Sequence, residues 1–211
     1  MVMTRREFLT ASAGVMSVGG VLRGRPGCIL LDLKGGCLRE SVAGYVSALH
    51  PRVRIAEWPS LSPCAVLIVP GTLDISPAAA RAIAACTHAG ATVILECGAG
   101  FTDERAFGAQ RAALLDCLQL KIEPPVQLWP RRTPYIDYSW PYSVKLRDFS
   151  RVVPLGAQTG EMIAWVDDLP IAIKRRRGRG TLIFLGSPIG PALWAHDAQA
   201  RSWLAAVLAT A

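Results

Sequence analysis

Residues 65–98, AVLIVPGTLDISPAAARAIAACTHAGATVILECG, decide the fold. Ala65 to Val69 is a continuous apolar run closed by Pro70-Gly71, the pattern of a strand buried on both faces and ended by a turn. Ser76 is placed as a helix cap and Pro77 as a first-turn proline. The helix they open is expected to run to about His88, where Gly90 stops it. Thr92 to Cys97 is a second buried strand, and Gly98-Ala99-Gly100 turns the chain toward a helix with Phe107, Leu114, Leu115 and Leu118 on one face. Buried strands separated by helices call for parallel pairing with right-handed crossovers.

Working outward, Cys28 to Leu33 reads as a strand, and Leu38, Val42, Tyr45, Val46 and Leu49 follow at helical spacing before an alternating strand, Val53 to Trp58. Downstream, prolines at 124, 125, 130, 134 and 141 and aromatics at 129, 135, 138, 140 and 142 mark residues 121–150 as an irregular insertion. Met162–Val166, Ile171–Lys174 and Gly180–Leu185 look like a β-meander before a closing helix, Asp197 to Leu208, buried through Trp203, Leu204, Val207 and Leu208. The expectation is an α/β fold, a flavodoxin-like three-layer sandwich with a mainly parallel sheet and a C-terminal β-meander.

The 211 residues suit one domain behind a short leader, and 51% hydrophobic against 18% charged residues, with mean hydropathy +0.31, excludes a disordered chain. The net charge of +7 falls partly on Arg5, Arg6, Arg23 and Arg25, which only Glu7 opposes, so no nucleic-acid partner is expected. Six cysteines form no CxxC pair and do not alternate with the three histidines as ligands would. Neither a metal nor another cofactor is expected.

Thr4-Arg5-Arg6-Glu7-Phe8-Leu9 resembles the twin-arginine export motif, carried by Arg5, Arg6, Phe8 and Leu9. The apolar stretch from Phe8 to Leu22 is diluted by Ser, Thr and Gly and is shorter than the roughly 20 residues of a membrane span. The resemblance implies residues 1–26 as leader, the twin-arginine translocase as partner during export, and a periplasmic or other extracytoplasmic address for the domain at 27–211. No small-x-small cleavage site follows, so removal of the leader is open, and a membrane attachment is expected only if the leader is retained. Arg25-Pro26-Gly27 before Cys28 is a poor lipobox.

Leu67–Gly71, Ala89–Gly98 and Gly178–Gly186 together resemble the class I glutamine amidotransferase-like superfamily over residues 27–211. In that family the second block leads to a nucleophile elbow, and Cys97 falls on it; the turns at Gly71 and Gly98 would then supply backbone donors for an oxyanion. The family's Gly-x-Cys-x-Gly pattern is altered, with Leu95 and Ala99 at the glycine positions. Where the amidotransferases carry His-Pro-Glu, this chain has Gly186-Ser187-Pro188-Ile189. A related branch places His directly after the cysteine, where Gly98 stands.

His196 is the remaining candidate base, and it also reads as an exposed residue beside the helix cap at Asp197. His50 and His88 read as helix-end residues. Glu96, Ser187, Tyr138 and Trp140 are binding candidates, Glu96 on the strand face opposite Cys97. The run Lys174-Arg175-Arg176-Arg177-Gly178-Arg179-Gly180 reads as a solvated hairpin tip, with phosphate or acidic polysaccharide as the functional alternative. The expected function is that of an exported, non-catalytic domain with a binding or accessory role toward a small molecule or protein. The alternative is a cysteine-dependent hydrolase or amidotransferase-like enzyme using Cys97.

Overall fold

A computed structural model describes residues 27–98, 104–128, 134–148 and 151–211. The leader, Ala99, Gly100 and Trp129 lie outside them. The amino-terminal half alternates β1 (Cys28–Asp32), α1 (Arg39–Leu49), β2 (Val53–Glu57), β3 (Val66–Thr72), α2 (Pro77–Ala89), β4 (Thr92–Cys97) and α3 (Glu104–Leu118). After it come β5 (Val126–Gln127), β6 (Tyr135–Tyr138), β7 (Val144–Arg147), β8 (Arg151–Val152), β9 (Glu161–Val166), β10 (Leu169–Arg177), β11 (Gly180–Leu185), α4 (Gly190–Trp194) and α5 (Ala198–Ala209).

The result is a mixed α/β fold on a nine-stranded sheet of order β2-β1-β3-β4-β11-β10-β9-β6-β7. The first five are parallel, with β4 inside the sheet between β3 and β11. The last four continue it antiparallel. Alternation along each strand divides the core in two. Leu67, Val69, Val93, Leu95 and Cys97 face α2 and α3, whereas Val66, Ile68, Ile94, Ile183 and Leu185 face α1, α4 and α5.

The α2 cues hold at both ends: the Ser76 hydroxyl accepts from the Ala79 amide at 3.1 Å, and Gly90 adopts the left-handed conformation with φ 111°. Leu115 departs from expectation, being 42% exposed, because it stands about 100° around α3 from the buried Leu114. The described part of residues 121–150 carries more order than its prolines suggest, since β6 and β7 pair as a hairpin and extend the main sheet. Helix α4 was not expected; it is five residues long and lies against α1.

The basic run belongs to the β10–β11 hairpin, with Gly178 at φ 58° in its turn. Arg175 and Arg177 point to the α3 side and both donate to the Leu118 carbonyl, where α3 has no basic residue in its own last turn. Their charge meets the negative end of the helix dipole. Burial, and then the neighbouring Arg177, push the Arg175 guanidinium below its ordinary pKa. Among the described residues no helix is long and apolar enough to cross a membrane.

Candidate functional site

The carboxyl ends of β3 and β4 meet at Gly71-Thr72 and Glu96-Cys97, where the β3–β4 register shifts between Val69 and Thr72. Gly71 has φ 38°, and a Cβ there would come within 2.6 Å of the Ser41 Oγ, so the position suits glycine alone. The tight turn directs the Gly71 amide at the Glu96 Oε2, 3.0 Å away.

Glu96 is fully buried and gathers donors from three elements. Its Oε1 accepts from the Tyr45 hydroxyl of α1 at 2.6 Å and from the Ile189 amide at the start of α4 at 2.9 Å; the Gly190 amide also bonds to it. Burial nevertheless outweighs these donors and lifts the carboxyl to about 7. The same burial, with the Glu96 charge second, holds Tyr45 well above the ordinary phenol range.

Cys97, the next residue, points to the other face and is fully buried among the α2 and α3 side chains. Burial pushes its thiol up to about 12, against the weaker opposing effect of a Gln110 amide 3.8 Å from Sγ. Gln110 also donates to the Thr72 Oγ1 at 3.0 Å, and that hydroxyl in turn donates to the Glu96 carbonyl at 2.7 Å. The expected oxyanion donors are engaged elsewhere: the Gly71 amide by Glu96 and the Gly98 amide by the Thr72 carbonyl at 2.8 Å.

His196 sits past the end of α4, exposed, with φ 59° and its Nδ1 at 2.5 Å from an Arg201 nitrogen. Since α4 packs with α1 and α5, His196 is on the face of the sheet opposite Cys97. The structure does not bring the two together.

Two other candidates do converge on the α1/α5 side. Ser187, 2% exposed, donates to the Asp148 Oδ2 at 2.5 Å. Tyr138 is buried with its ring 4.7 Å from that of Trp203, its hydroxyl lacks a hydrogen-bond partner among the described residues, and its pKa is raised by burial, then by Glu96 and Asp148. Trp140 lies elsewhere: its carbonyl accepts from the Trp203 Nε1 at 2.9 Å, and its ring lies under the Lys174 ammonium, 4.4 Å from the centroid.

Sequence reasoning missed Tyr45, Gln110, Asp148 and the amino end of α4 as partners of these groups. Tyr45 and Gln110 sit at core positions of amphipathic helices, and the reach of a hydroxyl or amide across a sheet end is not encoded in periodicity. Among the described residues no group of three or more His, Cys, Asp or Glu is arranged to hold a metal ion.

No protein-family model and no curated protein matches the chain. Solved structures do. An exo-β-1,4-mannosidase from Opitutaceae bacterium strain TAV5 superposes with TM-score 0.65 at 14% identity, over 88% of this chain and 36% of the enzyme. A cytoplasmic protein from Salmonella typhimurium LT2 gives 0.61 at 12% identity, over 87% of this chain and 98% of that one. A β-galactosidase from Bacillus circulans sp. alkalophilus gives 0.58 at 16% identity, over 86% and 31%. The chain thus spans about a third of the length of these glycosidases, and likeness at such identities shows the fold alone.

Proposed function

We propose that this chain is an exported, non-catalytic domain of the class I glutamine amidotransferase-like type, with a binding or accessory role. The observation that carries the reading is the state of Cys97: a fully buried thiol, held near 12, with the Gly71 and Gly98 amides engaged, His196 across the sheet, and His88 at the far end of α2 against the Gly178 turn. A nucleophilic cysteine requires a thiolate, a base within about 2.6–3.2 Å or one water, and free donors for the oxyanion. The strand order β2-β1-β3-β4-β11 with helices on both sides supports the finer description, a flavodoxin-like three-layer sandwich extended by an antiparallel wing.

The purified protein should therefore release no ammonia from glutamine above the rate of buffer, and Cys97→Ala should change nothing in that assay. Its native thiol should also resist labelling by an aromatic disulfide reagent until the protein unfolds. Glutamine turnover that disappears in Cys97→Ala would overturn the reading.

Export rests on Arg5 and Arg6. Replacing both by Lys should leave the protein in the cytoplasmic fraction, and unchanged accumulation in the periplasm would refute the twin-arginine route.

A further inference from the structure

At the end of the sheet opposite Glu96, strand register assembles a polar cavity that the buried carboxylate does not use. Thr181 of β11 lies beside Thr92 of β4 on one side and Arg176 of β10 on the other. One row inward, Lys174 of β10 lies between Ile183 of β11 and Glu161 of β9. Because Leu182 and Ile173 face α2 and α3, all of these residues face the α5 side by alternation. Trp140 and Thr210, the latter just past α5, complete a cavity of ≈ 490 Å³. That is the size range of small-molecule sites.

The chemistry is mixed in a particular way. Trp140 offers the exposed part of a half-buried aromatic ring, held by its carbonyl and with the Lys174 ammonium over one face. The threonine hydroxyls and the Glu161 carboxylate offer hydrogen-bonding partners. Lys174 pairs with Glu161 at 2.7 Å, which leaves Arg176, exposed and in no ion pair among the described residues, as the uncompensated charge. An indole wall suits the C–H face of a sugar ring, hydroxyl rows suit its hydroxyls, and a guanidinium fork suits a carboxylate bidentately.

We propose that this cavity binds an acidic saccharide, with the sugar ring against Trp140 and its carboxylate on Arg176. The proposal deepens the binding role above by assigning it a site and a ligand class. The two readings fail separately, because glutaminase activity concerns Cys97 at the other end of the sheet.

Titration calorimetry of the full chain with digalacturonate, the neutral galactobiose and inorganic phosphate tests it, with amide and indole NMR shifts locating the response. Digalacturonate should bind and shift the Trp140 indole and the Thr181 amide, with the neutral disaccharide and phosphate at least about tenfold weaker. Arg176→Ala should weaken digalacturonate binding by about tenfold while leaving the melting temperature unchanged, and Arg176→Lys should recover part of the loss. Arg179→Ala, an exposed charge on the same hairpin outside the cavity, should bind as wild type. No heat and no shift at millimolar digalacturonate, equal binding of the neutral sugar or phosphate, or an equal loss in Arg179→Ala would each overturn the site.

Discussion

Between about pH 5 and pH 8 the wild-type chain should lose about 2–3 kcal/mol of unfolding free energy through Glu96, and a Glu96→Gln variant should lack that slope. The folded carboxyl titrates at about 7 and the unfolded one at the ordinary 4.5, so across this window the folded state holds the extra proton. Stability from that proton is fully present below the unfolded value and is lost as pH rises through the folded one. The other titratable groups whose fields reach Glu96 stay neutral throughout: Tyr45 and Tyr138 lie above the phenol range, and Cys37 is pushed up to about 11 by burial.

The variant is itself informative at low pH. A protonated Oε1 can donate to Tyr45 while still accepting from Ile189, whereas the amide nitrogen of Gln accepts nothing. Whichever way the amide is turned, either the Ile189 or the Gly71 N–H loses its acceptor, at a cost of about 2 kcal/mol near pH 5. The penalty should shrink as the wild type ionises. Urea melts at a series of pH values measure both, and parallel pH curves for the two proteins would show that Glu96 does not carry the proton.

The second large effect is at the α1–α4 contact. A Cβ on Gly44 would stand 1.9 Å from the Gly190 carbonyl oxygen, and one on Gly190 would stand 2.3 Å from the Ser41 Cα. Both obstacles are backbone, so neither can rotate away. Gly44→Ala should destabilise the protein by about 3 kcal/mol despite the roughly 1 kcal/mol that alanine gains over glycine in a helix. It should also weaken the Glu96 cluster, since the clash separates α1, which carries Tyr45, from α4, which supplies the Ile189 and Gly190 amides. Gly108→Ala is the matched control. It lies in α3 with nothing within 4 Å of its added Cβ, so the same substitution should stabilise by about 0.5–1 kcal/mol. Equal signs at the two sites would remove the steric explanation.

How far the site was legible follows from the kinds of signal involved. Opposite facing of Glu96 and Cys97 follows from strand alternation, and the missing catalytic partners were visible as Gly98 and Gly186-Ser187-Pro188-Ile189. The burial of Cys97 beneath α3 was not visible, because it depends on how Gln110 and Phe107 close over the sheet end. In sequence the basic run reads as a solvated turn; in the structure Arg175 and Arg177 cap α3, while Lys174 and Arg176 face a cavity with Trp140. A run of four cations is divided between two faces by the period of the strand, and only the neighbours on each face give the charges their different partners.

Local signals along the chain therefore set its grammar: buried strands over 65–69 and 92–97, the Ser76 cap, the stop at Gly90, and with them a parallel α/β centre, although β3 runs on through Pro70-Gly71 to Thr72. These rest on interactions within a few residues or on the burial demanded by continuous apolar runs. Packing of the assembled layers sets the rest: β11 slots between β4 and β10, β6 and β7 extend the sheet, and Tyr45, Gly71, Ile189 and Gly190 converge on one carboxylate. Those contacts join residues far apart in the chain, and their free energy comes from excluding water at places defined only once every layer is in position.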